Sequence, residues 1–158
     1  GSTVSGNTAY QNGGTGIATS IATVSGNTAY QNGGRGIAAP SSVVSGNTAY
    51  LNGSDGIQAA TSTVSGNTAH SNGGDGISAF SSSTVSGNSV FANAGDGIST
   101  DSGATVLGNA VRSNTGFGLN LSSQSGYREN VISSNAAGTV TGGVNAGNNV
   151  CNGSTTCP

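Results

Sequence analysis

The chain of 158 residues contains no Met, no Trp and no Lys, and only 5% of its residues are charged. Ordinary soluble domains carry roughly 25% charged residues. Three Arg without a Lys cannot neutralise a phosphate backbone, which excludes nucleic acid as a partner. No apolar run approaches the roughly 18 residues that span a bilayer as a helix. No basic stretch followed by an apolar one is present either, so any export signal is expected upstream or already removed. With one histidine, His70, and two cysteines, Cys151 and Cys157, a four-ligand zinc site cannot be assembled. The two cysteines lie close together near the C-terminus. Their spacing predicts a local disulfide, an oxidising compartment, and a secreted or cell-surface protein.

Low hydrophobicity with much Gly and Ser normally signals disorder, but disorder of that kind brings high net charge or abundant Pro. Here the net charge is -2 and there are two Pro against 29 Gly. Such a composition is explained by internal repetition. VSGNTAYQN begins at Val4 and returns at Val24, then as VSGNTAYLN at Val44 and VSGNTAHSN at Val64. It degrades to VSGNSVFAN at Val85 and VLGNAVRSN at Val106, with spacings of 20, 20, 20, 21 and 21. A Gly-Ile pair follows each copy at Gly16-Ile17, Gly36-Ile37, Gly56-Ile57, Gly76-Ile77 and Gly97-Ile98. Gly118-Leu119 and then Val140 hold the same place in the last two units.

This period is too short for helical-hairpin repeats, and the leucine-rich pattern is absent. Apolar and polar residues alternate over short stretches such as Thr3-Val4-Ser5, Thr8-Ala9-Tyr10 and Ile17-Ala18-Thr19, which is strand periodicity. Gly and Asn between them are expected to supply the positive-φ turn positions. Three short strands and three turns per unit predict an all-β parallel β-helix of about seven coils of 20–21 residues, roughly 34 Å long at the strand spacing. The repeats are assigned to residues 1–140. A capping segment over 141–158 breaks register and is closed by Cys151–Cys157.

Residues one unit apart should stack. The inward columns are then Val4 to Val106, Ala9 to Ile132 and Ile17 to Val140, a thin core whose stability comes from coil-to-coil interfaces. Asn7, Asn27, Asn47, Asn67, Asn88, Asn109 and Asn130 form one column of amides, and Asn12 to Asn135 form a second. Both suit hydrogen-bonded ladders along the rod.

The stretch GNTAHSNGGDGI from Gly66 to Ile77 resembles the repeats of the right-handed parallel β-helix proteins of the pectin-lyase-like superfamily. The resemblance covers almost the whole chain and implies the right hand of the helix. It does not select a function, because that superfamily includes lyases, hydrolases, epimerases, tailspikes and adhesins.

The candidate catalytic column is Thr15, Arg35, Asp55, Asp75, Asp96. Asp55, Asp75 and Asp96 stacked one strand spacing apart would raise one another's pKa and approach the ~5 Å carboxyl separation of retaining glycosidases. They could equally gather Ca²⁺. The structural alternative is that each Asp caps its own turn while Arg35 pairs with Asp55, and Thr15 in the same column favours it. Enzymes of this resemblance that handle acidic polysaccharides need basic residues and cleft-forming loops. Here Arg35, Arg112 and Arg128 are scattered and insertions are nearly absent, which weighs against an enzyme. The one irregular stretch, Ser122 to Glu129, is expected to brace the penultimate coil through Tyr127, Arg128 and Glu129.

Tyr10, Tyr30, Tyr50, His70 and Phe91 alternate outward from the Ala column. They form a candidate binding ladder for sugar rings or a neighbouring rod, with self-stacking as the alternative. Pairs such as Thr3 and Ser5 or Thr63 and Ser65 flank the inward Val, resembling the flat rows of ice-binding solenoids. The N-terminal repeat enters without a cap. The leading expectation is an extracellular structural and interaction solenoid, a fibre subunit or adhesin stalk. It would self-associate through its first coil or the aromatic ladder. Polysaccharide binding or processing is the alternative, and ice binding comes third.

Overall fold

The computed structural model describes residues 1–158. The first coil contributes strands Ser2–Ser5, Thr8–Tyr10 and Ile17–Ala18, and each later coil adds one strand to each of three parallel sheets. The first and second sheets have eight strands and the third has seven. Seven coils are therefore complete, and an eighth is formed by Val144–Asn145 and Val150–Cys151 alone. No helix is long and apolar enough to cross a membrane.

Register follows the repeat. Val4 pairs with Val24, Ala9 with Ala29 and Ile17 with Ile37, each parallel and in the same column. The alternation that makes TVS and TAY strands turns their central residue inward, and the inward Val, Ala and Ile columns form one continuous core.

The corners are built differently from the expectation. The left-handed residue is the one before each ladder Asn, not the Asn itself. At the first corner it is glycine from Gly6 through Gly108, and then Glu129 and Asn148 before the last two ladder Asn. At the second corner Gln11, Gln31, Leu51, Ser71, Ala92 and Ser113 adopt φ between 53° and 57°. A left-handed non-glycine costs roughly 1–2 kcal/mol, and the ladder it permits offsets that cost. In both Asn columns the side-chain oxygen accepts from the Asn of the preceding coil. Asn47 Oδ1 receives both the backbone N–H and the Nδ2 of Asn27 at 2.9 Å, and Asn27 Nδ2 also donates to Val4 O at 2.8 Å. No buried side-chain nitrogen or oxygen lacks a partner, so none of these amides carries the added penalty of an unpaired buried group.

A third ladder, of serines, runs along the remaining corner. Ala22 N donates to Ser42 Oγ, Ser42 N to Ser62 Oγ and Ser62 N to Ser83 Oγ, at 3.0–3.1 Å. The glycine of each Gly-Ile pair is required for room. A Cβ on Gly56 would lie 2.6 Å from Asn72 Nδ2 and 2.7 Å from Gly76 O.

The C-terminal residues keep the register longer than their sequence suggests. Tyr127 takes the place of Val in the first column, pairing with Val106, and is fully buried. Asn149 extends the first Asn ladder by accepting from Asn130, and Cys151 stacks on Ile132. The Cys151–Cys157 disulfide folds the tail over this last turn, with Cα atoms 5.4 Å apart, and the Tyr127 hydroxyl donates to Pro158 O.

Candidate functional site: an aromatic ladder on the second sheet

The outward face of the second sheet is set by Thr8–Tyr10, Thr28–Tyr30, Thr48–Tyr50, Thr68–His70 and Ser89–Phe91. Ala or Val faces the core at the centre of each strand, which leaves a hydroxyl side chain and a ring outside. Because the strands pair in register, the five rings stack into one column. Successive centroids are 5.1, 5.0, 5.1 and 4.8 Å apart, and ring planes deviate by 9° or less. Stacked ring pairs contribute about 0.5–1.5 kcal/mol beyond area burial. The column ends on a cation, since the Arg112 guanidinium lies 4.6 Å from the Phe91 ring centroid.

Ring faces are thus turned to one another along the axis, and the face presented outward consists of ring edges and phenol hydroxyls. A sugar cannot lie on ring faces within this column. It can meet the edges, the phenol hydroxyls and the parallel row Thr8, Thr28, Thr48, Thr68. His70 belongs to the stack, and burial lowers its pKa below the ordinary 6.5. It is therefore neutral at pH 7, with Nδ1 3.1 Å from Ser71 Oγ.

A shallow groove of about 580 Å³ begins one residue beyond the ladder, lined by Leu51, Ser71, Ala92, Ser113 and the turn residues Gly53 and Gly73. A second, of about 510 Å³, runs along the third corner past Ile21, Thr23, Ser41, Val43, Thr61 and Thr63.

The acidic column is a fourth ladder. Asp75 N donates to Asp55 Oδ1 at 3.1 Å, Asp96 N to Asp75 Oδ1 at 2.7 Å and Phe117 N to Asp96 Oδ1 at 2.6 Å. Each carboxylate thus serves the backbone of the next coil, where the sequence suggested its own turn. Arg35 Nε reaches Asp55 Oδ2 at 3.3 Å, and Asn120 Nδ2 reaches Asp96 Oδ2 at 2.7 Å. Burial first, then the neighbouring Asp96 and Asp55 charges, hold the Asp75 pKa above the usual 3.8, against the Asp96 N–H that lowers it. The three carboxylates do not converge on a common point, and no group of three His, Cys, Asp or Glu side chains is arranged around a metal position.

The right handed beta helix region family matches residues 58–156. The chain belongs to the right-handed β-helix family. Solved structures with the same architecture include the A-module of an Azotobacter vinelandii mannuronan C-5 epimerase, with TM-score 0.75 and 16% identity, covering 93% of this chain and 53% of that one. A mutant periplasmic alginate epimerase aligns with TM-score 0.78 and 20% identity over 90% of this β-helix and 43% of its own length. A pectate lyase aligns with TM-score 0.58 and 13% identity over 77% and 44%. At these identities the likeness concerns the fold, and this β-helix spans about half the length of the structures it matches. No curated protein sequence matches it.

Two parts of the site escaped sequence reasoning. Arg112 follows Phe91 in the aromatic column and was legible as its next member. The direction of the ring faces had no signal, because it depends on the side-chain rotamers that the stack selects.

Proposed function

We propose that this β-helix segment binds an extended polysaccharide lying along the rod axis, against the ladder face of the second sheet and the groove beside it. The observation that carries this reading is the repeated pair of a hydroxyl side chain (Thr in four coils, Ser89 in the fifth) and a ring edge, presented once per coil at 4.8–5.1 Å intervals over five coils. That interval is close to the length of one pyranose residue in an extended β-linked chain. A glycan in this orientation repeats the same contacts coil after coil, and many weak contacts sum as in other multivalent recognition.

The structural neighbours named for alginate and pectate chemistry favour a polysaccharide partner. They lend nothing to the fibre and adhesin readings of the sequence. The disulfide favours an oxidising compartment, so the glycan is met outside the cytosol. The role is binding without turnover, because the best-placed carboxylates are engaged with the backbone of adjacent coils. Calorimetric titration with soluble polysaccharides tests the reading. Tyr30→Ala with Tyr50→Ala should weaken binding at least about tenfold, while unchanged affinity in a folded variant refutes it.

A further inference from the structure

We infer that the polysaccharide is neutral, not a polyuronate. This rests on the reading of the second sheet as a glycan-binding face and specifies the class of glycan it takes.

A polyuronate presents one carboxylate per sugar, so an axial site for it needs about one cation per coil. A carboxylate desolvated without such a partner is penalised strongly. The chain has three Arg and no Lys in total. Two of the three already face carboxylates: Arg35 Nε lies 3.3 Å from Asp55 Oδ2, and Arg128 lies 3.9 Å from Glu129. The third, Arg112, covers the ring of Phe91 at the end of the ladder. Along Tyr10, Tyr30, Tyr50 and His70 no cation is on offer, and the histidine is itself neutral because burial lowers its pKa.

The charge that remains near the track has the wrong sign. Two residues past the groove's Gly53 and Gly73 stand Asp55 and Asp75, continued by Asp96 in the next coil, and Arg35 balances Asp55 but no cation balances Asp75 or Asp96. A polyuronate laid along the groove would run parallel to that column, and juxtaposed like charges repel. What the face does offer suits a neutral glycan. Thr8, Thr28, Thr48 and Thr68 and three phenol hydroxyls both donate and accept, matching the alternating hydroxyls of an uncharged sugar chain.

Calorimetric titration with oligosaccharides of equal length settles the question, comparing β-1,4-linked mannose, xylose and glucose oligomers with oligomannuronate and oligogalacturonate, at low and at physiological salt. The expected result is that a neutral oligomer binds with an affinity independent of salt, while the uronates bind at least tenfold more weakly. Asp75→Asn should strengthen uronate binding without altering neutral binding. Uronates that bind as tightly as neutral oligomers or more tightly, with affinity falling as salt rises, would overturn the inference while leaving the glycan reading intact. Failure of every oligomer to bind would overturn both.

Discussion

The backbone N–H of Asp96 donates to the Oδ1 of Asp75 across one coil, at 2.7 Å. Outside the acidic column the same acceptor role, from one coil to the next, falls to Asn and Ser side chains. Asp75 is the middle member of the one acidic ladder, Asp55, Asp75 and Asp96, in a rod whose other ladders are neutral amides and hydroxyls, and burial together with the neighbouring charges raises its pKa.

Asp75→Asn retains the oxygen and removes the charge, so it should leave the fold unchanged and raise the melting temperature at neutral pH. The pH dependence has a definite sign. The folded pKa lies above the 3.8 of the unfolded group, so the folded state binds more protons between those values. Stability from Asp75 therefore rises as pH falls through the folded pKa towards 3.8 and is constant below it. Melting curves of both proteins from about pH 3 to about pH 7 should converge at the acid end. An advantage of the variant that grows on acidification contradicts this.

The Asn ladders should be the most sensitive polar positions. Asn72 Oδ1 accepts the backbone N–H and Nδ2 of Asn52, while its own Nδ2 donates to Ala49 O and Asn93 Oδ1. Asn72→Ala leaves several buried groups unpaired, at about 1–3 kcal/mol each. Denaturant titration should show a loss of about 3 kcal/mol or more. Asn7→Ala, at an exposed position in the first coil, should lose much less.

Two glycines separate room from conformation. Gly56→Ala places a Cβ against Asn72 Nδ2 and Gly76 O and should cost about 2–3 kcal/mol through overpacking. Gly46→Ala meets no atom within 4 Å but sits at φ +63°, so it should cost only about 1–2 kcal/mol. Equal losses in thermal unfolding would mean that the close approach of the Gly-Ile turn to the Asn ladder is not what selects glycine.

Reduction of Cys151–Cys157 should release the tail from Tyr127. Opening so short a loop costs about 2 kcal/mol. Burial holds the Tyr127 hydroxyl above the ordinary 10.0, so absorbance titration after reduction should show its pKa falling towards that value. An unchanged alkaline titration would show that the last coil stays covered without the disulfide.

The columns were legible because one residue per coil repeats at 20 or 21 positions, and parallel pairing converts that period directly into contact. The same logic hid the serine ladder. Ser42, Ser62 and Ser83 lie in Ser-rich stretches, and Ala22 and Ala104 interrupt the row. Tyr127 was masked by the irregular residues before it, and only its pairing with Val106 shows that it belongs to the core. Asn149 was unreadable for a related reason: it follows Asn130 by 19 residues, where earlier steps were 20 or 21. The aromatic column was visible in sequence, but not its face-to-face order. That order decides which atoms a glycan can reach.

The most direct test of the central claim is amide chemical-shift mapping with a neutral β-1,4-linked oligosaccharide. The account predicts perturbations confined to Thr28–Tyr30, Thr48–Tyr50, Thr68–His70 and the neighbouring groove residues Leu51 and Ser71. Perturbations centred on the first sheet at Thr23, Thr63 and Thr84, or none at saturating ligand, would contradict it.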